Sequence, residues 1–324
     1  MAQIDDKPAG RRVLVTGGTG MIGSALCRRL VRDCDAVTVI ARPDGGRQRL
    51  ADIADKLSIV ELNLAEFDRV RRLLVEVQPE IVFHLAGTIF NPPILTAADH
   101  LNVNVGGTLC LLEAMREIPG SRLIYTSSAA EYPPGNNLTE GMKPGPVNVY
   151  GVMKACASLL IDSYARIYGL HASRAVLFTV YGPAEATHRL VPSAILSVLH
   201  GRNVRIHNGA VQRDMLYVDD AVEGLCRMAV AKLAPGTAIN LCSGVGLSVR
   251  QIAEEVLQLM TSPIAIDERP EDTRPDEIMI VSGDNRRAHE LLGWQPMWSL
   301  EAGLRQTISW FRKHGVQSTS GDAN

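Results

Sequence analysis

Residues 12–16 form a short apolar β-type run, Arg-Val-Leu-Val-Thr, that passes directly into Gly17-Gly18-Thr19-Gly20-Met21-Ile22-Gly23 and then into a helical pattern over residues 24–31. Gly17, Gly20 and Gly23 follow G-x-x-G-x-x-G. Strand, glycine turn and helix in this order let the backbone approach a phosphate at the positive end of a helix, because glycine has no side chain to hold the ligand away. The stretch reads as the first turn of a βαβ unit that holds a dinucleotide pyrophosphate at Gly17, Gly20, Met21, Ile22 and Gly23.

Further βα units follow. A strand is expected over residues 36–41, another over 57–62 before a helix at 67–77, a third over 81–85 before a helix at 97–117, and a fourth over 122–127 ahead of a helix from 150 to 168. Strands alternating with helices predict an α/β protein of Rossmann type: a doubly wound parallel sheet whose ligands sit beyond the carboxyl ends of the strands. A chain of 324 residues exceeds one average domain. The expected division is a dinucleotide-binding domain over 1–180, a smaller C-terminal substrate lobe over 181–315 where the βα rhythm loosens, and a polar, disordered tail over 316–324.

Charge and composition exclude several classes. A formal net charge of -2 gives neither a nucleic-acid footprint nor a polybasic membrane patch. No apolar run reaches transmembrane length and the first residues lack a secretory apolar core, so a cytoplasmic protein is expected. The six cysteines show no C-x-x-C and no paired His/Cys spacing, so neither a disulfide framework nor a bound metal is expected.

The strand over 36–41 ends in Ala41-Arg42, where a fold that prefers NAD usually places a carboxylate on the ribose 2′-hydroxyl. With Arg47 and Arg49 close behind, the loop suits a 2′-phosphate, and NADP(H) is the expected cofactor with NAD(H) possible. Tyr150 and Lys154 stand four apart in a helix, one turn from each other on one face. An ammonium 4 to 5 Å from the phenol, at an effective dielectric near 20, favours phenolate by roughly 3 to 4 kcal/mol, or about two to three pKa units. A phenol so tuned exchanges protons near neutral pH.

At this point the chain resembles the extended short-chain dehydrogenase/reductases, the family of NAD(P)-dependent nucleotide-sugar epimerases, dehydratases and reductases. The resemblance runs over residues 12–311 or so and rests on the glycine turn, His84-Leu85-Ala86, Asn104-Val105-Gly106-Gly107-Thr108, Tyr125-Thr126-Ser127-Ser128-Ala129, Tyr150 with Lys154, Val180-Tyr181-Gly182-Pro183, Arg213-Asp214 before Tyr217-Val218-Asp219-Asp220, and Leu292-Gly293-Trp294. It implies that Tyr150 is the general acid/base and that Lys154 holds the nicotinamide ribose and lowers the tyrosine pKa. Ser128 would hydrogen-bond the substrate oxygen, with Ser127 as runner-up. Asn63, Leu64, Leu85, Ala86, Gly87 and Asn104 would line the cofactor. Thr179 and Arg189 would face the substrate, Arg213 its diphosphate, and Arg269 is a further candidate ahead of Arg274. An arginine fork suits phosphate oxygens on geometric grounds as well.

One departure is informative. Family dehydratases carry an Asp-Glu pair directly after the catalytic Ser/Thr, and here Ala129 and Ala130 stand there. Alanine transfers no protons, which disfavours a 4,6-dehydratase. The expected activity is NADP(H)-dependent 4-ketoreduction of a nucleotide-linked 4-keto-6-deoxyhexose, since a reductase must exchange spent cofactor with the cellular pool. The alternative is a nucleotide-sugar 4-epimerase with tightly held NAD; a reductase of small ketones and a non-catalytic dinucleotide sensor rank lower. The resemblance also implies a homodimer that pairs the helices over 108–117 and 155–168.

Overall fold

The computed structural model describes residue 8 and residues 10–43, 45–88 and 96–315. The expected disordered tail lies outside them. Along the chain the strands are β1 (Arg12–Thr16), β2 (Ala36–Ala41), β3 (Ser58–Glu61), β4 (Ile81–His84), β5 (Arg122–Ser128), β6 (Gly135–Leu138), β7 (His171–Leu177), β8 (Thr179–Tyr181), β9 (Val204–Ile206), β10 (Gln212–Tyr217), β11 (Ala238–Leu241), β12 (Gly246–Ser248), β13 (Ile266–Glu268) and β14 (Ile280–Gly283). The helices are α1 (Met21–Asp33), α2 (Phe67–Val77), α3 (Ala97–His100), α4 (Gly107–Met115), α5 (Val149–Tyr168), α6 (Leu190–Leu199), α7 (Val218–Val230), α8 (Val249–Leu259), α9 (Arg286–Leu292) and α10 (Leu300–His314).

The main sheet has seven strands in the order β11-β7-β5-β4-β1-β2-β3, every pair parallel. Helices cover both faces, so its central strands read as unbroken apolar runs: Val13 to Val15 and Ile81 to Phe83 are fully buried. One core contains Leu26 and Leu30 of α1 with Leu225 of α7; the other contains Leu74, Leu111 and Ile161 from α2, α4 and α5. The strand order reverses between β1 and β4, which opens the crevice where such sheets bind ligands. The helix expected over 97–117 is a single run from α3 to α4 interrupted by a π-helical segment, Leu101–Gly106.

A second sheet, β12-β10-β14-β6 with β8 on β10, forms the smaller lobe. The chain does not pass from one sheet to the other once at residue 181. β6, from the first half, pairs with β14, and β11, from the second half, returns to the main sheet beside β7. Two buried aspartates staple this arrangement. Asp214 accepts from the N–H groups of Ser243, Gly244 and Gly283 and from the Ser243 hydroxyl, at 2.7 to 3.1 Å. Asp220 accepts from the N–H groups of Met297 and Trp298, while the Trp294 indole donates to its carbonyl at 3.0 Å.

Candidate active site

The glycine turn is a cradle that side chains would fill. Gly17 has φ +73°, and a Cβ there would lie 2.5 Å from the Ala86 nitrogen; a Cβ on Gly23 would lie 2.1 Å from the Gly17 oxygen. β1, the end of β4 and the start of α1 can therefore meet only through glycine. Gly20 caps α1 without a side-chain hydrogen bond, which leaves the first-turn N–H groups of Met21, Ile22 and Gly23 to a phosphate. Beneath this turn Thr16 and Thr108 hold His84 at 2.7 and 2.9 Å. Burial, with Lys154 nearby, pushes the imidazole down to about 3, so His84 is a neutral strut between β1, β4 and α4. These features fit a dinucleotide.

The adenosine end is less simple than its sequence. Arg42 is exposed past the end of β2. Arg47 forms an ion pair with Glu61 at the end of β3, and Arg49 donates to the Ala184 carbonyl at 2.9 Å. Asn63 turns the chain toward α2, its side chain accepting from the Ala65 N–H at 3.0 Å, and Leu64 packs buried against Gly107.

The structure brings Ser128, Tyr150 and Lys154 together. Asn148 caps α5 by accepting from the Gly151 N–H at 2.8 Å. A Cβ on Gly151 would lie 2.1 Å from the Ala130 carbonyl, so only glycine lets the start of α5 close onto the turn after Ser128. The Tyr150 phenol faces the Ser128 hydroxyl, which opposes the rise of its pKa. Ser127, by strand alternation, faces the opposite way, and its buried hydroxyl reaches Glu131 and Ser158. This separates the two serines: Ser128 faces the phenol and Ser127 does not. Lys154, 5% exposed, donates to the Thr126 carbonyl at 2.9 Å, with its Nζ 4.9 Å from the centre of the Tyr125 ring. A Cβ on Gly87 would lie 3.3 Å from that Nζ and 2.7 Å from the Asn104 side-chain oxygen, so Gly87, Asn104 and Lys154 converge on one spot. Asn104 sits in the π-helical segment and accepts from the Thr88 N–H at 2.9 Å.

The electrostatics correct one expectation. Burial raises the Tyr150 pKa, and the groups that oppose this are Ser128, by its hydrogen bond, and Arg189, by its charge. Lys154 is not the cation that lowers it. Its side chain turns back onto β5, whereas the phenol turns toward Ser128. Burial pushes Lys154 itself down to about 8.

Arg189, at the start of α6, links the two ends of the site, since its charge acts on both Tyr150 and Arg213. It lies 3.6 Å from Glu185, a buried carboxyl pushed up to about 7 by burial. Arg213 lies on β10, two residues before Met215, which pairs with Thr179 on β8. It pairs with neither Asp214 nor Asp219 but with Glu277, and also donates to the carbonyls of Gln212 and Ile278 at 2.8 and 2.6 Å. Arg274 binds the same Glu277 at 2.9 Å, while Arg269 is exposed and pairs with Asp267. Arg274 thus joins the cluster around Glu277 and Arg269 does not.

A profile of the NAD dependent epimerase/dehydratase family matches residues 13–242. The chain belongs to this family. It is 31% identical over 317 residues to the UDP-glucose 4-epimerase of Mycolicibacterium smegmatis, covering 93% of this chain and 98% of that one. It is 29% identical over 321 residues to a dTDP-D-glucose 4,6-dehydratase of Bos taurus, covering 94% and 89%. The structure of UDP-glucose 4-epimerase with UDP-glucose from Thermotoga maritima superposes with a TM-score of 0.86 at 27% identity, covering 93% and 98%. This chain is an enzyme of the NAD-dependent epimerase/dehydratase type. Among the described residues no helix is long and apolar enough to cross a membrane, and no cluster of His, Cys, Asp or Glu could hold a metal.

Three family-site features escaped the sequence reading. Asn148 carried the sequence signal of an N-cap, a lone Asn before an apolar helix. Glu277 and Glu131 carried none, because each finds its partners across the fold.

Proposed function

We propose that this chain is a 4-epimerase of nucleoside-diphosphate hexoses that retains its NAD through the catalytic cycle. The observation that carries this reading is the commitment of Arg47 to Glu61 and of Arg49 to the Ala184 carbonyl. Two of the three arginines expected to hold a 2′-phosphate are engaged elsewhere, which removes most of the sequence argument for NADP(H) and with it the argument for a reductase. Tyr150, its phenolate favoured by the positive charge of a bound oxidised nicotinamide, takes the proton from the sugar 4-hydroxyl while Ser128 hydrogen-bonds the same oxygen; after the sugar turns over, Tyr150 gives the proton back. A nicotinamide dinucleotide in the glycine cradle supplies the removal and return of hydride at that carbon. Lys154 and Asn104, which meet beside Gly87, orient its ribose end. Arg213, Arg274 and Arg189 hold the diphosphate side. Ala129 and Ala130 leave elimination of water without an acid and a base.

The test is the nucleotide released on denaturing the purified protein, together with its action on UDP-glucose. NAD in the supernatant and UDP-galactose formed without net cofactor change support the reading. An empty protein that oxidises NADPH on 4-keto-6-deoxy sugars overturns it and establishes the second reading, a 4-ketoreductase, which the placement of Arg42 where a carboxylate would select NAD still favours.

We further propose a homodimer through α4 and α5. Val152, Leu159 and Ile167 recur about every two turns of α5 and are 40%, 57% and 65% exposed, with Leu109 of α4 39% exposed. Light scattering on a chromatographic peak decides it: a single-chain mass would sink the proposal.

A further inference from the structure

Behind the reacting groups lies a carboxyl group that this chemistry does not use. Glu131 ends the turn Ala129–Glu131 that follows Ser128, and it is 3% exposed. Ser127 Oγ lies 2.6 Å and Ser158 Oγ 2.7 Å from Glu131 Oε2, and the two Oγ atoms are 2.9 Å apart. All three separations fall within the range of O–H···O hydrogen bonds. Three such bonds need three protons, and the two serines carry two. An ionised Glu131 would accept from both hydroxyls and leave the serine–serine contact with no proton. A protonated carboxyl closes the ring: Glu131 donates to Ser158, Ser158 to Ser127, and Ser127 to Glu131.

The charges around the ring agree. Arg174 on β7 reaches Glu131 Oε1 at 3.3 Å, but its guanidinium is already held by both oxygens of Asp162 at 2.8 and 2.9 Å. Lys154 on α5 is the other cation, bound to the Thr126 carbonyl. Tyr125 on β5, Tyr132 beside Glu131 and Tyr150 on α5 would all be harder to ionise next to a negative Glu131. Burial raises the Glu131 carboxyl itself, against the serines, Arg174 and Lys154.

We propose that Glu131 is a positioning residue, a neutral acid whose ring with Ser127 and Ser158 locks the turn that carries Ser128 onto the helix that carries Tyr150 and Lys154. Ser158 lies one helical turn beyond Lys154, so the ring ties both sides of the triad at one point. Its neutrality keeps a negative charge away from the phenol and leaves the Lys154 ammonium to the ligand.

The decisive measurement is infrared difference spectroscopy of the full chain near neutral pH. Wild type minus Glu131→Gln is expected to show the carbonyl stretch of a protonated carboxyl, and Ser158→Ala, which keeps the acid but opens the ring, is expected to shift that band. In kinetics, Glu131→Gln is expected to leave the pH limbs of kcat/KM in place, whereas Glu131→Ala lowers kcat about 10- to 100-fold with KM little changed, as lost positioning does. No such band, or a limb displaced to lower pH by about one unit in Glu131→Gln, as removal of a real charge would cause, overturns the proposal. The kinetic arm rests on the roles proposed for Tyr150 and Lys154; the infrared arm does not, so failure of the epimerase reading and failure of the ring are distinguishable. If Glu131→Gln does not fold, the Ser158→Ala shift alone decides.

Discussion

The two ends of the site are held by different means. Around Tyr150, groups are fixed by buried hydrogen bonds and by backbone approaches that only Gly17 and Gly151 permit. Around Arg213, charged side chains hold one another: Arg213 and Arg274 share Glu277, and Arg189 leans on Glu185. The first arrangement suits chemistry, which needs groups placed before the substrate arrives. The second suits recognition of an anion, whose phosphates can replace the carboxylates as partners.

If this contrast is right, the largest effect belongs to the fixed end. Tyr150→Phe removes the acid/base while leaving the ring in place, and kcat is expected to fall about 10²- to 10⁴-fold with KM and the thermal midpoint nearly unchanged. A variant that retained full turnover would remove Tyr150 from the chemistry.

Lys154 sharpens the contrast from the stability side. Its folded pKa of about 8 lies below the ordinary 10.5, so the unfolded chain binds more protons between those values and stability rises with pH across that window. At pH 7 the cost of the buried ammonium is fully present, roughly 3 kcal/mol. Lys154→Met removes it and loses about 1 kcal/mol with the hydrogen bond to Thr126. The variant is expected to be inactive yet more stable at pH 7, the gain fading from about pH 8 upward and gone by about pH 10. Thermal midpoints of both proteins across pH test this, and a Met variant that melts lower at pH 7 refutes it.

How much was legible in the sequence follows the same division. β1, β2 and α2 begin and end where their patterns said, because a buried parallel strand or an amphipathic helix announces itself locally. The glycine turn was legible for the same reason: strand, turn and helix are neighbours in sequence. β6, Gly-Asn-Asn-Leu, has no strand propensity and exists only because β14 lies beside it. The π-helical segment that carries Asn104 looks in sequence like ordinary helix. Charge partners were the least legible. Arg213 stands next to Asp214 in the chain, but Asp214 is used up by four donors from Ser243, Gly244 and Gly283, so the guanidinium turns to Glu277, sixty-four positions away.

At the recognition end, Arg213→Ala is expected to raise KM for the nucleotide sugar about 10- to 100-fold through loss of charge-assisted bonds, with kcat moving less. Arg269→Ala serves as the control. Its guanidinium is exposed and occupied by Asp267, and it is expected to leave KM unchanged. Steady-state kinetics on both variants would show whether Arg213, and not Arg269, meets the substrate; equal KM increases would refute that assignment.

The smallest effect carries the most specific sign. If Glu277 merely anchors the two arginines, removing its charge would loosen them and weaken binding. If it stands in for the phosphates, the substrate must displace it, and Glu277→Gln would strengthen binding. The second outcome is expected, because two guanidiniums converge on this one carboxylate while Arg189 adds a third positive charge within range of Arg213. A gain of about 1 kcal/mol, or roughly fivefold tighter binding of UDP, is the expected size for an ion pair that is only partly shielded from solvent. Calorimetric titration of UDP into both proteins, at low and at high salt, reads the sign directly. The advantage should shrink at high salt, since the competing attraction is screened along with the binding one. Weaker binding by Glu277→Gln would mean that the recognition end is fixed before the ligand arrives, as the catalytic end is.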